Sequence, residues 1–500
     1  MSAIRKVFAG IPRAVSVLTG AVLAVLVLLV MFGESALSFA YQNQAPVPGL
    51  VAGCVGIAAA GLLLHAGGRI KNRTPCPVWL LCIVFGLVLA VQFVITRSCW
   101  FHLGWDPGAV HTAAEEMARG LPLSMPEYFE LCPNNAPLTV LLAAPLWLAI
   151  RVGLSVPYAV LPYLDAVLLN LSAFAAVLCV RKLTQNALAH AFSLVISIGW
   201  IALSPYLLYP YTDTFSILFP VLALFVYLHV KRPAVKWFLV SLCCFLGASI
   251  KPTVLIVLLA LIGLGVCGFL AGKIERGWWK RAVAVTAALV LGAVPGQAFQ
   301  KMATAYVTGS TVPEGQLSVT HYLMLGMNGE TYGGHSPEDV AFSQSFETLD
   351  QRQSANLRRA WERVSGRSVM ENVRFFAVKA YKAYADGSFA SHGSFLEVDV
   401  PQRGDAVSRF LRSLYHKDGQ LMPYCQTLAQ CLWLGVLTLC AAAAVRRRRH
   451  PAVALLCLTL LGLTAYLLLF EVWPRYLFLY APFFVILASM AFDKPSTPVL

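Results

Sequence analysis

Long apolar runs recur along the chain and are separated by short polar segments or by segments containing Gly and Pro. Each run holds about 20 residues, which as a helix cross the roughly 30 Å hydrocarbon core of a bilayer. The pattern predicts membrane-spanning helices at 15–33, 48–67, 77–97, 157–180, 189–207, 213–230, 237–250, 253–272, 282–299, 426–445, 451–470 and 476–492. Because no small-residue cleavage site is clear after the first run, we interpret it as a retained span and not as a signal peptide.

One apolar run, 138–153, does not fit this series. If it crossed the membrane, Arg181 and Lys182 would lie outside and every later loop would be inverted. We therefore predict a helix that lies against the outer face or dips into it, where protein or the interface covers its polar groups. A true span with a weak charge signal at Arg181 stays the alternative.

Two longer polar stretches, about 98–137 and 300–425, are predicted to lie outside, and the second has a helical pattern around 349–385. The predicted fold is an all-α polytopic membrane protein of about twelve transmembrane helices, with external juxtamembrane helices and a larger external helical loop. Five regions follow from this reading: N-terminal spans 1–97, a first external loop with a juxtamembrane helix at 98–156, central spans 157–299, an external soluble region 300–425 and C-terminal spans 426–500.

Composition and charge agree with a membrane protein. Only 12% of the residues are charged and 58% are hydrophobic, whereas soluble domains carry about 25% charged residues. The net charge of +14 comes largely from basic residues in short loops, namely Arg69, Lys71, Arg73, Lys231, Arg232, Lys236, Lys273, Arg276, Lys280, Arg281 and Arg446 to Arg449. This is the positive-inside pattern with the N-terminus inside. Because these clusters lack interleaved aromatic residues, we expect no nucleic-acid partner.

Most of the 13 cysteines lie inside apolar runs, where they act as small buried hydrophobes. Cys99 and Cys132 fall in the same predicted external loop. A disulfide between them stays open, because sequence alone does not set the geometry that a disulfide requires.

Polar residues at the outer membrane boundary are the candidates for chemistry, since they are costly there unless they have a function. The segment 104–120, GWDPGAVHTAAEEMARG, places Asp106 shortly after the third predicted span. A carboxylate at this point suits a general base for an acceptor hydroxyl. Glu115 and Glu116 follow on a probable juxtamembrane helix, and acidic residues that stabilise a helix N-terminus are the alternative.

Three further clusters are predicted to lie on the same face. Asp213 opens a span after a turn rich in Pro and Tyr, where a helix cap is the alternative. Lys251 is a cation between two apolar stretches, suited to hold a phosphate, or else to snorkel from a span end. Glu471 and Arg475 lie in the turn between the last two spans, where Arg475 offers bidentate contacts to phosphate. A simple Glu–Arg pair within an aromatic interface belt is the alternative.

Together these clusters describe a site for an anionic, lipid-linked substrate. No P-loop, GxGxxG fingerprint or HExxH motif is present. His102 and His111 could join Asp106 around a metal, but their spacing does not favour it. Because external loops have no access to cytosolic ATP, the energy of the reaction should come from an activated lipid donor.

At these residues the sequence resembles the GT-C superfamily of membrane glycosyltransferases, in the branch of protein O-mannosyltransferases and the lipid A aminoarabinose transferase. Those enzymes show, in order, an Asp in the first large external loop, a Pro-rich juxtamembrane segment, a second Asp, a Lys at a broken span and a late Arg-Tyr turn. The matching positions here are Asp106, CPNNAPL at 132–138, Asp213, Lys251 and PRY at 474–476.

The resemblance implies an inverting transfer of sugar from a polyprenyl-phosphate carrier to an envelope glycan or protein, on the extracytoplasmic face of the plasma membrane. Asp106 would act as the base or orient the acceptor. Lys251, Arg475 and Tyr476 would bind the carrier phosphate. Asp213 would be the second catalytic residue, shaping the sugar pocket or helping to hold a divalent cation, Mg or Mn.

Further substrate contacts are expected from Glu115, Glu471, Asn134 and Asn135. The two asparagines stand where relatives often carry an acidic residue, which puts a family-like metal site in doubt.

The loop 320–345 resembles a segment of uncharacterised members of the same superfamily. Tyr332, Gly333, Gly334 and Asp339 are candidate contacts to sugar or acceptor, because Gly allows close backbone approach. A structured turn without substrate contact is the alternative.

Two rival functions remain for a chain of this kind. A transporter or lipid-linked-sugar flippase would show inverted repeats, interrupted helices in matching positions and charges near the middle of the membrane. We find no such symmetry in the sequence. A non-catalytic scaffold for envelope assembly would leave the one-sided set of Asp, Lys and Arg unexplained.

Overall fold

The protein is an all-α polytopic membrane protein, as the apolar pattern predicts. The computed structural model describes residues 3–70, 76–272, 278–401 and 403–493. The α-helices in chain order are α1 (Ala3–Leu37), α2 (Gly49–Arg69), α3 (Val78–Cys99), α4 (Trp105–Arg119), α5 (Pro126–Leu131), α6 (Ala136–Arg151), α7 (Val160–Leu183), α8 (Ala187–Ile196), α9 (Thr212–Ser216), α10 (Leu218–His229), α11 (Pro233–Ile250), α12 (Leu255–Ala271), α13 (Trp278–Thr308), α14 (Val319–Gly326), α15 (Pro337–Gln344), α16 (Leu349–Ser365), α17 (Val369–Tyr384), α18 (Ala406–Tyr415), α19 (Met422–Arg446), α20 (Pro451–Leu469) and α21 (Ala481–Ser489).

Shorter helical segments complete several spans. They are 3₁₀ turns at Pro133–Asn135, Pro157–Ala159, Pro205–Leu208, Pro252–Val254, Pro474–Tyr480 and Met490–Phe492, and a π-helix at Ser197–Ala202.

The described residues contain 12 helical segments that are long and apolar enough to cross a membrane, and each overlaps one of the predicted spans. The short predicted span 237–250 begins earlier, at Pro233, because proline is well tolerated in the first turn of a helix. The prediction of twelve spans is confirmed.

Burial separates central helices from peripheral ones. In the 18-residue apolar stretch of Pro474–Phe492, 89% of the residues are buried within the protein, whereas in that of Trp278–Thr308 only 17% are. The last span therefore forms the centre of the bundle, and α13 presents most of its apolar surface outward, where lipid replaces protein as its partner.

The helix α6 does not cross the bundle. The rings of His102, just after α3, and Tyr158, just before α7, stack with centroids 4.2 Å apart. The end of α3 and the start of α7 therefore lie at the same end of the bundle, whereas one crossing by α6 would have put them at opposite ends. This geometry agrees with the prediction that 138–153 lies against one face.

A two-stranded antiparallel sheet joins the two long insertions at this end. Strand β1 (His102–Leu103) pairs with β2 (Glu397–Val398), with His102 opposite Val398. Two-residue strands have no periodic pattern, so the sequence does not predict them. We call this end the insertion end, because both 98–156 and 309–421 lie there.

The opposite end carries basic residues at the ends of described spans. Asn186 donates to the carbonyls of Gly67 and Phe492, and Arg447 pairs with Asp493 at 3.6 Å, which ties α2, α8 and the chain after α21 together. Arg69 and Arg446 end spans at this end. Lys71, Arg73, Lys273 and Arg276, which belong to the predicted positive-inside pattern, lie outside the described residues.

Cys99 and Cys132 are free thiols in the structure, so the disulfide that the sequence left open is not formed.

Candidate functional site

A buried carboxylate and two cations meet at the insertion end. Lys251 Nζ donates to Asp213 Oδ1 in an ion pair, and Arg475 Nη1 lies 3.9 Å from Asp213 Oδ2. The Asp213 side chain is only 1% exposed. A carboxylate at such depth requires compensating charge, and here two cations supply it.

Local sequence explains why these residues meet. Lys251 has an extended backbone at the end of α11, because the following Pro252 disfavours helical geometry in the residue before it. Asp213 lies in the first turn of α9, after Pro210 has ended the preceding segment. Arg475 follows Pro474 at the start of a 3₁₀ helix. The end of α11, the start of α9 and the start of this 3₁₀ helix therefore meet at the site.

Aromatic rings surround the cations. The Arg475 guanidinium carbon lies 4.9 Å from the ring centre of Phe395 and 5.7 Å from that of Tyr211. Lys251 Nζ lies 4.6 Å from the ring centre of Tyr476, whose hydroxyl donates to Glu471 Oε2 at 2.7 Å. Cation–π contacts of this kind orient a cation without neutralising it.

A chain of hydrogen bonds leads from this wall to the first insertion. The Tyr211 hydroxyl donates to Asn135 Oδ1 at 3.2 Å, and Asn135 Nδ2 donates to the Tyr128 hydroxyl at 2.5 Å. Asn134 Nδ2 lies 3.4 Å from Asn135 Oδ1. Asn135 is 2% exposed, so its amide organises the wall of the site.

Asp106 lies in the first turn of α4 and is exposed. The preceding Trp105 has φ 54°, a strained conformation for a bulky residue. The amide of Gly104 donates to the carbonyl of Leu396 at 2.7 Å, so the segment before Asp106 is held by the second insertion.

The carboxylates of Asp106 and Glu471 both act on the Cys132 thiol. Burial, aided by the carboxylates of Asp106 and Glu471, raises the pKa of the Cys132 thiol to about 12. Burial and then Asp106 raise the pKa of the Tyr211 phenol, whereas Arg475 lowers it. One residue from each of the four predicted clusters, Asp106, Asp213, Lys251 and Arg475, therefore lies at or beside the same site.

Residues 74–496, most of the 500-residue chain, match the model of a family described as conserved hypothetical integral membrane protein. The chain belongs to this family. No curated protein and no solved structure matches the chain. The family match begins just before α3 and includes every candidate site residue from Asp106 to Tyr476, while α1 and α2 precede it.

The residues around Asp213 do not suit a divalent cation. Asp213 is already engaged by Lys251 and Arg475, whereas hard cations select oxygen ligands that are free to coordinate. The described residues contain no group of three or more His, Cys, Asp or Glu that could hold a metal. His111 donates from Nε2 to the carbonyl of Pro210, and burial lowers its pKa to about 4, so it is neutral.

Glu115 lies away from this cluster. It pairs with Arg119 at 2.6 Å, one turn further along α4. Nine residues of helix separate it from Asp106, a rise of roughly 13 Å. A substrate contact by Glu115 stays a prediction.

The loop of Tyr332, Gly333 and Gly334 packs against the segment that carries Glu471. Tyr332 and Gly333 have φ 49° and 74°, and the Gly333 carbonyl accepts from the amide of Val472 at 2.9 Å. The neighbouring Asp339 is fully buried, and Arg363 holds it with bonds of 2.6 and 2.9 Å. The geometry is that of a structured turn that braces the segment of Glu471, and direct substrate contacts stay a prediction.

Several residues of the site are missing from the sequence-based prediction. Tyr211 and Phe395 reach Arg475 from distant segments, and Lys379 and Lys382 lie behind Glu471. Asp165, inside the span Pro157–Leu183, is fully buried, and the Thr214 side chain, next to Asp213 in sequence, lies beside it. An acidic residue inside an apolar run is itself a signal, and Asp165 could have been found by it.

Proposed function

We propose that the protein is an inverting glycosyltransferase that moves a sugar from a polyprenyl-phosphate carrier to a cell-envelope glycan or protein, on the extracytoplasmic face of the plasma membrane. The observation that carries this proposal is the buried Asp213 with two cations, Lys251 and Arg475, at one end of a membrane bundle. Lys251 forms the close ion pair with Asp213, whereas Arg475 lies 3.9 Å from it and can bind an anionic ligand.

A phosphate suits the two cations, Lys251 and Arg475. Arg475 presents a planar fork that suits phosphate oxygens, and Lys251 adds a point charge. The 3.9 Å between Arg475 and Asp213 is longer than a hydrogen bond, so the guanidinium can turn to a ligand without breaking a close pair. In this arrangement Asp213 orients the two cations, a narrower role than the catalytic one expected from the sequence.

Asp106 suits the base. Its carboxylate is exposed and lies near the aromatic wall. In the proposed reaction Asp106 takes the proton of an acceptor hydroxyl, whose oxygen bonds to the anomeric carbon on the face opposite the phosphate. The bond from that carbon to the phosphate oxygen breaks, and the configuration at the anomeric carbon is inverted. Lys251 and Arg475 stabilise the charge left on the carrier phosphate.

One observation favours a transporter or lipid-linked-sugar flippase instead. Asp165 is a fully buried acid inside a span, and such residues often mark ion or proton pathways. Under this alternative Asp165, and not Asp106, would be essential for activity.

The test is release of polyprenyl phosphate by purified protein in detergent, given a panel of polyprenyl-phosphate sugars and envelope extract. We expect release that depends on one sugar, is lost in Asp106→Asn and persists in Asp165→Asn. Release that survives Asp106→Asn would refute the assigned base. Absence of release from every donor, with folded protein, would refute the transferase, and donor movement across vesicles that requires Asp165 would then establish the flippase.

A further inference from the structure

Two lysines of α17 are buried behind the site. Lys379 is 0% exposed and Lys382 is 5% exposed, and their spacing of three places them on one face of the helix. Lys379 Nζ donates to the carbonyls of Gly326 at 2.6 Å and Phe470 at 2.8 Å, and Lys382 Nζ donates to the carbonyl of Thr331 at 3.0 Å. Within the described chain these hydrogen bonds all go to backbone carbonyls. Burying ammonium groups without a paired carboxylate is costly, so the arrangement calls for a reason.

The lysines join three segments. They connect the end of α14 at Gly326, the loop 328–334, and residues 470–475, which we call the Glu471 turn. A side chain at Gly326 would clash with the backbone of Leu469 and Phe470, so α14 packs directly on the chain that enters this turn. At Gly333 a Cβ would lie 2.8 Å from Lys379 Nζ, so glycine there makes room for the ammonium group.

The Glu471 turn carries Arg475, one of the groups assigned to the phosphate. It contains Arg475 and the Glu471 carboxylate that accepts from Tyr476. The carbonyl held by Lys379 belongs to Phe470, the residue directly before Glu471, and the Lys382 ammonium lies 5.1 Å from the ring centre of Trp473. Movement of these lysines would therefore move the turn.

The charges of the two lysines respond to their surroundings. Burial lowers the pKa of Lys379 to about 7, with Lys382 and Arg367 acting in the same direction and Glu471 opposing. Burial lowers the pKa of Lys382 to about 8, again with Glu471 opposing.

We propose that Lys379 and Lys382 are positioning residues that clamp the Glu471 turn, and with it Arg475, in the geometry that binds the carrier phosphate. The clamp itself is a structural claim, and its consequence for phosphate rests on the proposed function. The two parts are tested by separate measurements.

The clamp is tested by hydrogen exchange of the purified protein, compared among Lys379→Met, Lys382→Met and the control Arg374→Met. Arg374 is an exposed cation on the same helix. We expect exchange in peptides covering 470–476 to rise about tenfold in Lys379→Met, because the Phe470 carbonyl loses its donor and the turn that follows opens more often, and to stay unchanged in the control. Equal exchange in Lys379→Met and Arg374→Met, with both proteins folded by size exclusion and thermal unfolding, would overturn the proposal.

The consequence for phosphate is tested by steady-state kinetics. Lys379→Met should raise the KM for the polyprenyl-phosphate donor about tenfold and leave the KM for the acceptor unchanged. Lys379→Gln keeps N–H donors without the charge, and its donor KM should lie between those of the wild type and Lys379→Met. A purely packing role would reduce the amount of folded protein and leave the donor KM of the folded fraction unchanged, which would overturn this part.

The pH dependence gives a further readout. The clamp is fully charged below the lower of the two pKa values and loses charge as the pH rises through about 7 and then about 8. We expect the donor KM of the wild type to rise between pH 7 and about 9, and the double variant of both lysines to Met to show a flatter profile. An identical profile in that variant would overturn the role of charge. If the wild type releases no carrier phosphate from any donor, the proposed function fails, and the exchange measurement still decides whether the clamp exists.

Discussion

At the scale of single residues, the site depends on how one buried carboxylate is shared. Asp213 is the common partner of Lys251 and Arg475, and the three residues come from three separate helical segments. Sequence analysis finds each of these residues, because charged groups at span ends are conspicuous. It does not find that they pair with one another, since the pairing depends on the packing of distant helices.

This sharing predicts strong coupling between Asp213 and Lys251. Lys251→Met leaves a buried carboxylate with one cation at 3.9 Å and should destabilise the protein by about 3 kcal/mol. The double variant Lys251→Met with Asp213→Asn should cost less than the sum of the single changes, because both charges leave together. A double-mutant cycle from thermal or denaturant unfolding in detergent measures the difference, and additive effects would contradict the pair.

A second residue-scale prediction concerns Asn135. Asn135→Leu removes an acceptor from Tyr211 and a donor to Tyr128, and leaves both hydroxyls near a buried apolar side chain. We expect a loss of about 1–3 kcal/mol in unfolding free energy. Asn134→Leu, whose contact with Asn135 is long at 3.4 Å, is the matched control and should change stability far less.

At the scale of elements, small residues decide which helices pack closely. In α13, Gly292 and Gly296 are four residues apart, and a side chain at either position would clash with the backbone of α11 at Phe238 or Phe245. This is the small-xxx-small arrangement that lets membrane helices approach. The apolar pattern predicts both helices, but it does not show which neighbour the glycines face.

This packing predicts that Gly296→Leu separates α11 from α13. We expect a loss of about 1–3 kcal/mol from overpacking, and a displaced Lys251, since Lys251 follows α11 directly. Gly86→Leu in α3, where a side chain meets open space, is the control and should leave the thermal midpoint nearly unchanged. Equal shifts in both variants would argue against the close contact.

At the scale of the whole molecule, the long insertions and the candidate site share one end of the bundle, and the basic loops lie at the other. The positive-inside pattern then predicts that the insertion end faces the outside. The orientation follows from charge and is open to a direct measurement.

We expect Ser310→Cys, in a background where the exposed Cys425 is changed to Ser, to react with a membrane-impermeant maleimide in intact cells. Arg448→Cys, at the opposite end, should react only after the membrane is made permeable. The reverse pattern would place the candidate site on the inner face and remove the lipid-carrier proposal in its present form.

The sequence by itself determined the number and approximate limits of the spans and the identity of the charged residues at their ends. Both are local properties, because each crossing needs its own run of about 20 apolar residues. Only the tertiary structure decided that Asp213 holds two cations, that β1 pairs with β2, and that Lys379 reaches Phe470 across 91 positions of sequence. Such contacts depend on which helix faces pack together, and in a membrane that choice rests on shape and polar contacts that no local apolar pattern records.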